Sequence, residues 1–71
     1  MKYKVGDRII PISSLELPSS EIMKYIYTIE IVSLSSYTTL LIYSTSIREY
    51  PISIVDNHSI KLSETLELLL T

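Results

Sequence analysis

The sequence has no cysteine, tryptophan or phenylalanine, and only one glycine and one histidine among 71 residues. Without thiols there is no disulfide, thiolate metal site or nucleophilic thiol, so burial of apolar surface or self-association must hold the chain together. The lone histidine sits in Asp56-Asn57-His58-Ser59, which on paper offers the Asp, His and Ser of a triad. Those residues read as a turn running into a strand, and no glycine-rich loop is at hand to supply an oxyanion site, so the chain reads as non-enzymatic. Asp56 and Asn57 are expected to make side-chain to backbone turn bonds. Of the potential metal ligands Asp7, Glu30, Asp56 and His58, only Asp56 with His58 has ligand spacing, so neither a metal nor a cofactor is expected. Asn57-His58-Ser59 matches a glycosylation sequon, which bears only on a secreted protein. There is no run of eighteen apolar residues to span a bilayer, and the opening Met1-Lys2-Tyr3-Lys4-Val5 is too short in apolar residues for a signal peptide. The expectation is a soluble cytoplasmic protein, in the host cytoplasm if viral, with no membrane partner.

What is present is apolar and weakly acidic. Hydrophobic residues make up 46% of the chain against 20% charged, which argues for a folded domain and raises the question of what covers so much apolar surface. One domain of this length has no room for a deep cavity, so function should lie on its surface. A net charge of −2 disfavours a phosphate-binding surface. The cluster Lys2, Lys4 and Arg8 reads as a charged strand edge that discourages edge-to-edge pairing. Single-stranded nucleic-acid binding through these cations and the tyrosines is the alternative, and it requires affinity that falls steeply with salt.

Lys2 to Val5 alternates and runs into Gly6-Asp7, which predicts a strand and a tight turn with Gly6 at positive φ. Arg8 to Ile12 reads as a second extended stretch. Pro11, Ser13, Ser14, Pro18, Ser19 and Ser20 then break the pattern into a long loop, in which Ser19 or Ser20 is placed to cap a turn over residues 21–24. Tyr25 to Leu34 and Tyr37 to Ser44 read as strands with apolar groups on both faces: Tyr25, Tyr27, Ile29 and Ile31 share one face of the first, and Tyr37, Thr39, Leu41 and Tyr43 one face of the second. Such two-sided strands need cover on both sides. Ile47 to Tyr50 pairs back as a hairpin. Pro51 opens a 3₁₀ turn whose Ile52, Ile54 and Val55 plug the end of a barrel, and His58 to Leu62 closes it.

All aromatic surface comes from Tyr3, Tyr25, Tyr27, Tyr37, Tyr43 and Tyr50. Tyr3, Tyr27 and Tyr43 are read as packing at barrel edges. Tyr25, Tyr37 and Tyr50, each at a strand end, are read as exposed contacts. In the tail, Leu62, Leu66, Leu69 and Leu70 fall at helical spacing, with Ser63 at a cap position and Glu64 and Glu67 near the amino end. Two turns are marginal alone, so this helix requires its leucines to dock, in cis or on another copy.

The order of strand, long loop, three-stranded meander, 3₁₀ turn and closing strand resembles an SH3-like barrel. Val5-Gly6-Asp7-Arg8-Ile9 resembles the opening of bacterial and phage SH3-like and KOW-like domains, and Tyr50-Pro51-Ile52-Ser53-Ile54-Val55 resembles their proline-containing 3₁₀ segment. The same strand count also suits an Sm-like or OB-like barrel. The resemblance implies an all-β, five-stranded SH3-like barrel over residues 1–62, with residues 63–71 as a short C-terminal helix or tail. The absence of tryptophan, and a loop over residues 11–24 holding only Glu16 and Glu21, depart from the peptide-binding SH3 domains. Small phage accessory proteins resemble this kind of barrel, and many bind and inhibit a host or defence protein. The function so implied is a protein-binding module, acting by surface occlusion through Glu16, Glu21, Tyr25, Tyr37, Arg48 and Tyr50. The alternative is a homo-oligomeric structural or assembly protein joined through Leu62, Leu66, Leu69 and Leu70.

Overall fold

The structure, a computed structural model, describes residues 1–64. Five strands form one antiparallel sheet: β1 (Arg8–Pro11), β2 (Tyr27–Val32), β3 (Ser36–Leu41), β4 (Ser46–Pro51) and β5 (Ser59–Lys61). Their spatial order is β4-β3-β2-β1-β5, so β4 and β5 are the edges and no ladder joins them among the described residues. The helices are short: α1 (Ser19–Ile22) lies in the β1–β2 connection, flanked by 3₁₀ turns over Ile12–Glu16 and Met23–Tyr25, and α2 (Ile52–His58) lies between β4 and β5.

Several strands are shorter than the sequence pattern predicts. Lys2 to Val5 is not a strand. The amides of Lys2 and Tyr3 donate instead to the Tyr37 phenol oxygen, each at 3.1 Å, and so Lys2 and Lys4 do not line a strand edge. Gly6 does adopt positive φ, at 93°. The turn is closed by Asp7 N–H to the Lys4 carbonyl at 3.1 Å and by Lys4 N–H to the Asp7 carboxylate at 3.0 Å. In the long connection Pro18 stands at the N-cap of α1 in place of a serine side chain, and its carbonyl accepts from Glu21 and Ile22.

Between Ile29 and Ile31 the β2–β3 register shifts: Ile29 faces Thr39 while Ile31 faces Thr38. Glu30 is the extra residue of a β-bulge, and every residue beyond it changes face. Ile31, expected on the face of Ile29, is turned out and 58% exposed, whereas Val32 is turned in and packs against the core.

The core gathers Tyr3, Ile9, Ile29, Tyr37 and Val55, with Tyr27, Val32, Tyr50 and Ile52 packed on it. Full burial of a residue such as Ile29 contributes roughly 1.5–3 kcal/mol. Ile10, on the opposite face of β1 from Ile9, is fully buried and Ile22 of α1 is buried, and neither belongs to that cluster. Pro51, with φ −57°, starts α2, which runs seven residues rather than one 3₁₀ turn. Of the three expected plugs, Val55 is buried and Ile52 packs on the core, while Ile54 stays 50% exposed, because a full α-helical turn carries it out of line with the other two.

Candidate functional site

An open groove of about 180 Å³ lies between the inward face of the sheet and α2. Its lining is mostly apolar: Ile9 and Pro11 of β1, Tyr27 of β2, Thr39 of β3, Tyr50 of β4, and Ile54, Val55 and His58 of α2, followed by Ser59. Alternation places these residues on one side of the sheet, since Ile9 pairs with Tyr27 and Tyr37 with Tyr50 across adjacent strands. Tyr27 and Tyr50 meet edge to face, ring centroids 6.2 Å apart. Burial, then the neighbouring Tyr50, raises the Tyr27 phenol above its ordinary value, and Arg48 pulls the other way. Of the predicted contacts, Tyr50 therefore meets Tyr27, Arg48 shares the inward face as the ladder partner of Thr39, and Tyr25 stands exposed at the end of the 3₁₀ turn before β2.

The remaining predicted contacts fall elsewhere. Tyr37 is not an exposed contact. It is fully buried, tilted against Tyr3 at 6.0 Å between centroids, and its hydroxyl donates to the Asp56 carboxylate at 2.7 Å. A strand end is buried here because α2 folds back over it. That bond occupies Asp56 with Tyr37 rather than with its own turn, and Asp56 sits inside α2. His58 and Ser59 meanwhile line the groove. Glu16 is exposed at the end of the first 3₁₀ turn. Glu21 pairs with Lys24 at 3.2 Å, and Lys24 lies 5.6 Å from the ring centre of Tyr43. Tyr43, expected at a packed edge, is 67% exposed, because β3 stops at Leu41 and leaves it in the hairpin turn.

Tyr3, in the N-terminal segment, is buried in the core cluster, and its hydroxyl has no hydrogen-bond partner among the described residues. Burial, and next the Asp56 carboxylate, push its phenol up to about 12. Leu62 is half-buried beside a second recess formed with Gly6, Asp7, Arg8, Lys61 and Ser63. Leu66, Leu69 and Leu70, and with them the predicted tail helix, lie outside the described residues. Among the described residues no group of three or more His, Asp or Glu side chains is placed to hold a metal, and no helix is long and apolar enough to cross a membrane.

Sequence reasoning missed Tyr27 as a lining residue of the groove and missed the wall made by Ile54 and His58. The signal for the wall was the i, i+4 spacing of those two residues, which puts them on one side of a true α-helix but not of a 3₁₀ turn. Comparison with known proteins adds no relative: no family model, no curated protein and no solved structure matches the chain.

Proposed function

We propose that the chain is an SH3-like barrel acting as a protein-binding module, and that the groove between the inward face of the sheet and α2 receives an apolar side chain of the partner. The strand order and the helix between the last two strands support the barrel reading. The observation that carries the binding reading is the groove itself. Apolar walls and about 180 Å³ suit one branched or aromatic side chain, and exposed Arg48 is the ladder partner of Thr39, which lines the groove beside Tyr50. Hot spots have this composition, a desolvated pocket with tyrosine and arginine around it. Arg48 has no ion pair among the described residues, so its guanidinium is available to a carboxylate of the partner. Binding there would occlude the partner's surface, the action expected of an inhibitor of a host or defence protein.

The test is capture from nuclease-treated lysate of the source organism or its host. The tagged wild type is compared with Ile54→Lys and Arg48→Glu, both at exposed positions, and with Ile47→Lys on the opposite face of the sheet as control. A stoichiometric protein held by the wild type and by I47K, and lost from I54K and R48E, supports the groove. Equal capture by all four rejects it.

A further inference from the structure

On the face of β2, β3 and β4 turned away from the core, Ile31, Ile42, Ile47 and Glu49 are exposed while Thr28, Thr38 and Leu40 are half-buried. Thr28, Leu40 and Ile47 are ladder partners in one row, and Ile31, Thr38 and Glu49 in the next. Ile42, whose amide donates to the Ile26 carbonyl, continues the apolar surface at one end. Ile47 is 68% exposed and Ile42 40%. Ile31 belongs to this face only because of the bulge at Glu30; in a regular strand it would share the inward face of Ile29. The bulge therefore moves an isoleucine into water, with no gain in burial at that position for the single chain. Bulges that re-aim a side chain in this way are common at functional surfaces.

The charges at the two borders of this face are opposite in sign. Arg8 pairs with Thr28 from β1, and Glu49 lies on β4. Three strand spacings separate them, about 14 Å, too far for one chain to pair its own Arg8 with its own Glu49. Neither has an ion-pair partner among the described residues.

We propose that this face is the interface of a two-fold homodimer. An axis running along the strands between β2 and β3 stacks the two apolar surfaces. It also lays Arg8 of each copy over the Glu49 border of the other, making the same contact twice. Pairing through the open edge of β4 is the competing arrangement. There a two-fold centred on the middle of the strand sets Arg48 against Arg48 or Glu49 against Glu49, and like charges directly opposite oppose it. The interface lies on the other side of the sheet from the groove, so it stands independently of the function proposed above.

Sedimentation equilibrium of the full chain over a dilution series tests this. The wild type should show the dimer mass. Ile47→Lys should weaken association at least about thirtyfold with unchanged circular dichroism, as expected for a central apolar contact. Arg8→Glu and Glu49→Arg should each weaken it about threefold, and the double variant R8E/E49R should recover the wild-type constant. A wild type that stays monomeric, or a dimer that survives I47K, overturns the proposal. A double variant no better than either single one overturns the two-fold arrangement.

Discussion

Tyr37 donates its phenolic hydrogen to Asp56 across 2.7 Å, and the same oxygen accepts the backbone amides of Lys2 and Tyr3. One hydroxyl therefore ties together β3, α2 and the N-terminal segment, which has no ladder of its own. Its removal leaves two amides without an acceptor and a carboxylate without its donor. Tyr37→Phe should cost about 1–3 kcal/mol, the penalty for unsatisfied groups rather than for lost volume. Urea unfolding reads the loss. Amide exchange should show it concentrated at Lys2 and Tyr3, whereas a purely cavity-like effect would spread evenly through the core.

Backbone strain offers a pair of substitutions with opposite signs. Gly6 has φ 93° and open space where a Cβ would stand, so Gly6→Ala meets no clash and should still destabilise by about 1 kcal/mol through conformation alone. Thr45 is the one non-glycine residue at positive φ among the described residues, at 56°, and it is β-branched. Thr45→Gly should stabilise by roughly 0.5–1 kcal/mol, the left-handed penalty less the entropy that glycine adds to the unfolded chain. Thermal or denaturant midpoints of the two variants on either side of the wild type check both claims.

The bulge makes a deletion tolerable. If Glu30 is removed, Ile29 still faces Thr39, Ile31 still faces Thr38 and Val32 still faces Tyr37, now as a regular ladder. Deletion of Glu30 should therefore leave a folded protein with the same inward and outward side chains. Deletion of Thr38 on the partner strand shifts Tyr37 and Thr39 to opposite faces and should abolish folding. Circular dichroism and proton spectra of the two deletions decide it. Equal damage from both would show that the bulge itself is required.

The meander, the Gly6 turn and a helical start at Pro51 were legible because each rests on local chemistry: alternation, a positive φ, a ring-locked φ; the α-helical length of that segment, read as a 3₁₀ turn, was not. What escaped the sequence was set by long-range packing. Tyr37 ends a strand and so reads as exposed, yet Asp56 arrives from 19 residues on to bond it. Ile31 reads as inward by parity, and nothing local announces the extra residue at Glu30. Of the candidate contacts, Tyr50 lines the groove, and it does so against Tyr27, a residue read from the sequence only as packing. The groove depends on how α2 seats on four strands at once, which no spacing rule encodes.

The buried phenols make stability sensitive to alkali. Burial, with the Asp56 carboxylate next in weight, raises Tyr3 from an ordinary 10 to about 12. Burial likewise raises Tyr27 and Tyr37, assisted at Tyr27 by Tyr50. A group whose folded value lies above its unfolded value favours the native state fully below the unfolded value. That contribution is lost as pH climbs through the folded one. Below about pH 10 all three phenols are neutral in both states, and these groups leave stability flat. Between 10 and 12 the unfolded chain ionises Tyr3 while the native state resists, so stability falls with pH across that window. Tyr3→Phe removes the site and should make the decline shallower. It should cost little at neutral pH, because the Tyr3 hydroxyl has no hydrogen-bond partner among the described residues. Tyrosinate absorbance followed against pH, beside urea unfolding at each pH, tests this. A steep alkaline loss that persists unchanged in Y3F would assign the transition to the other two rings.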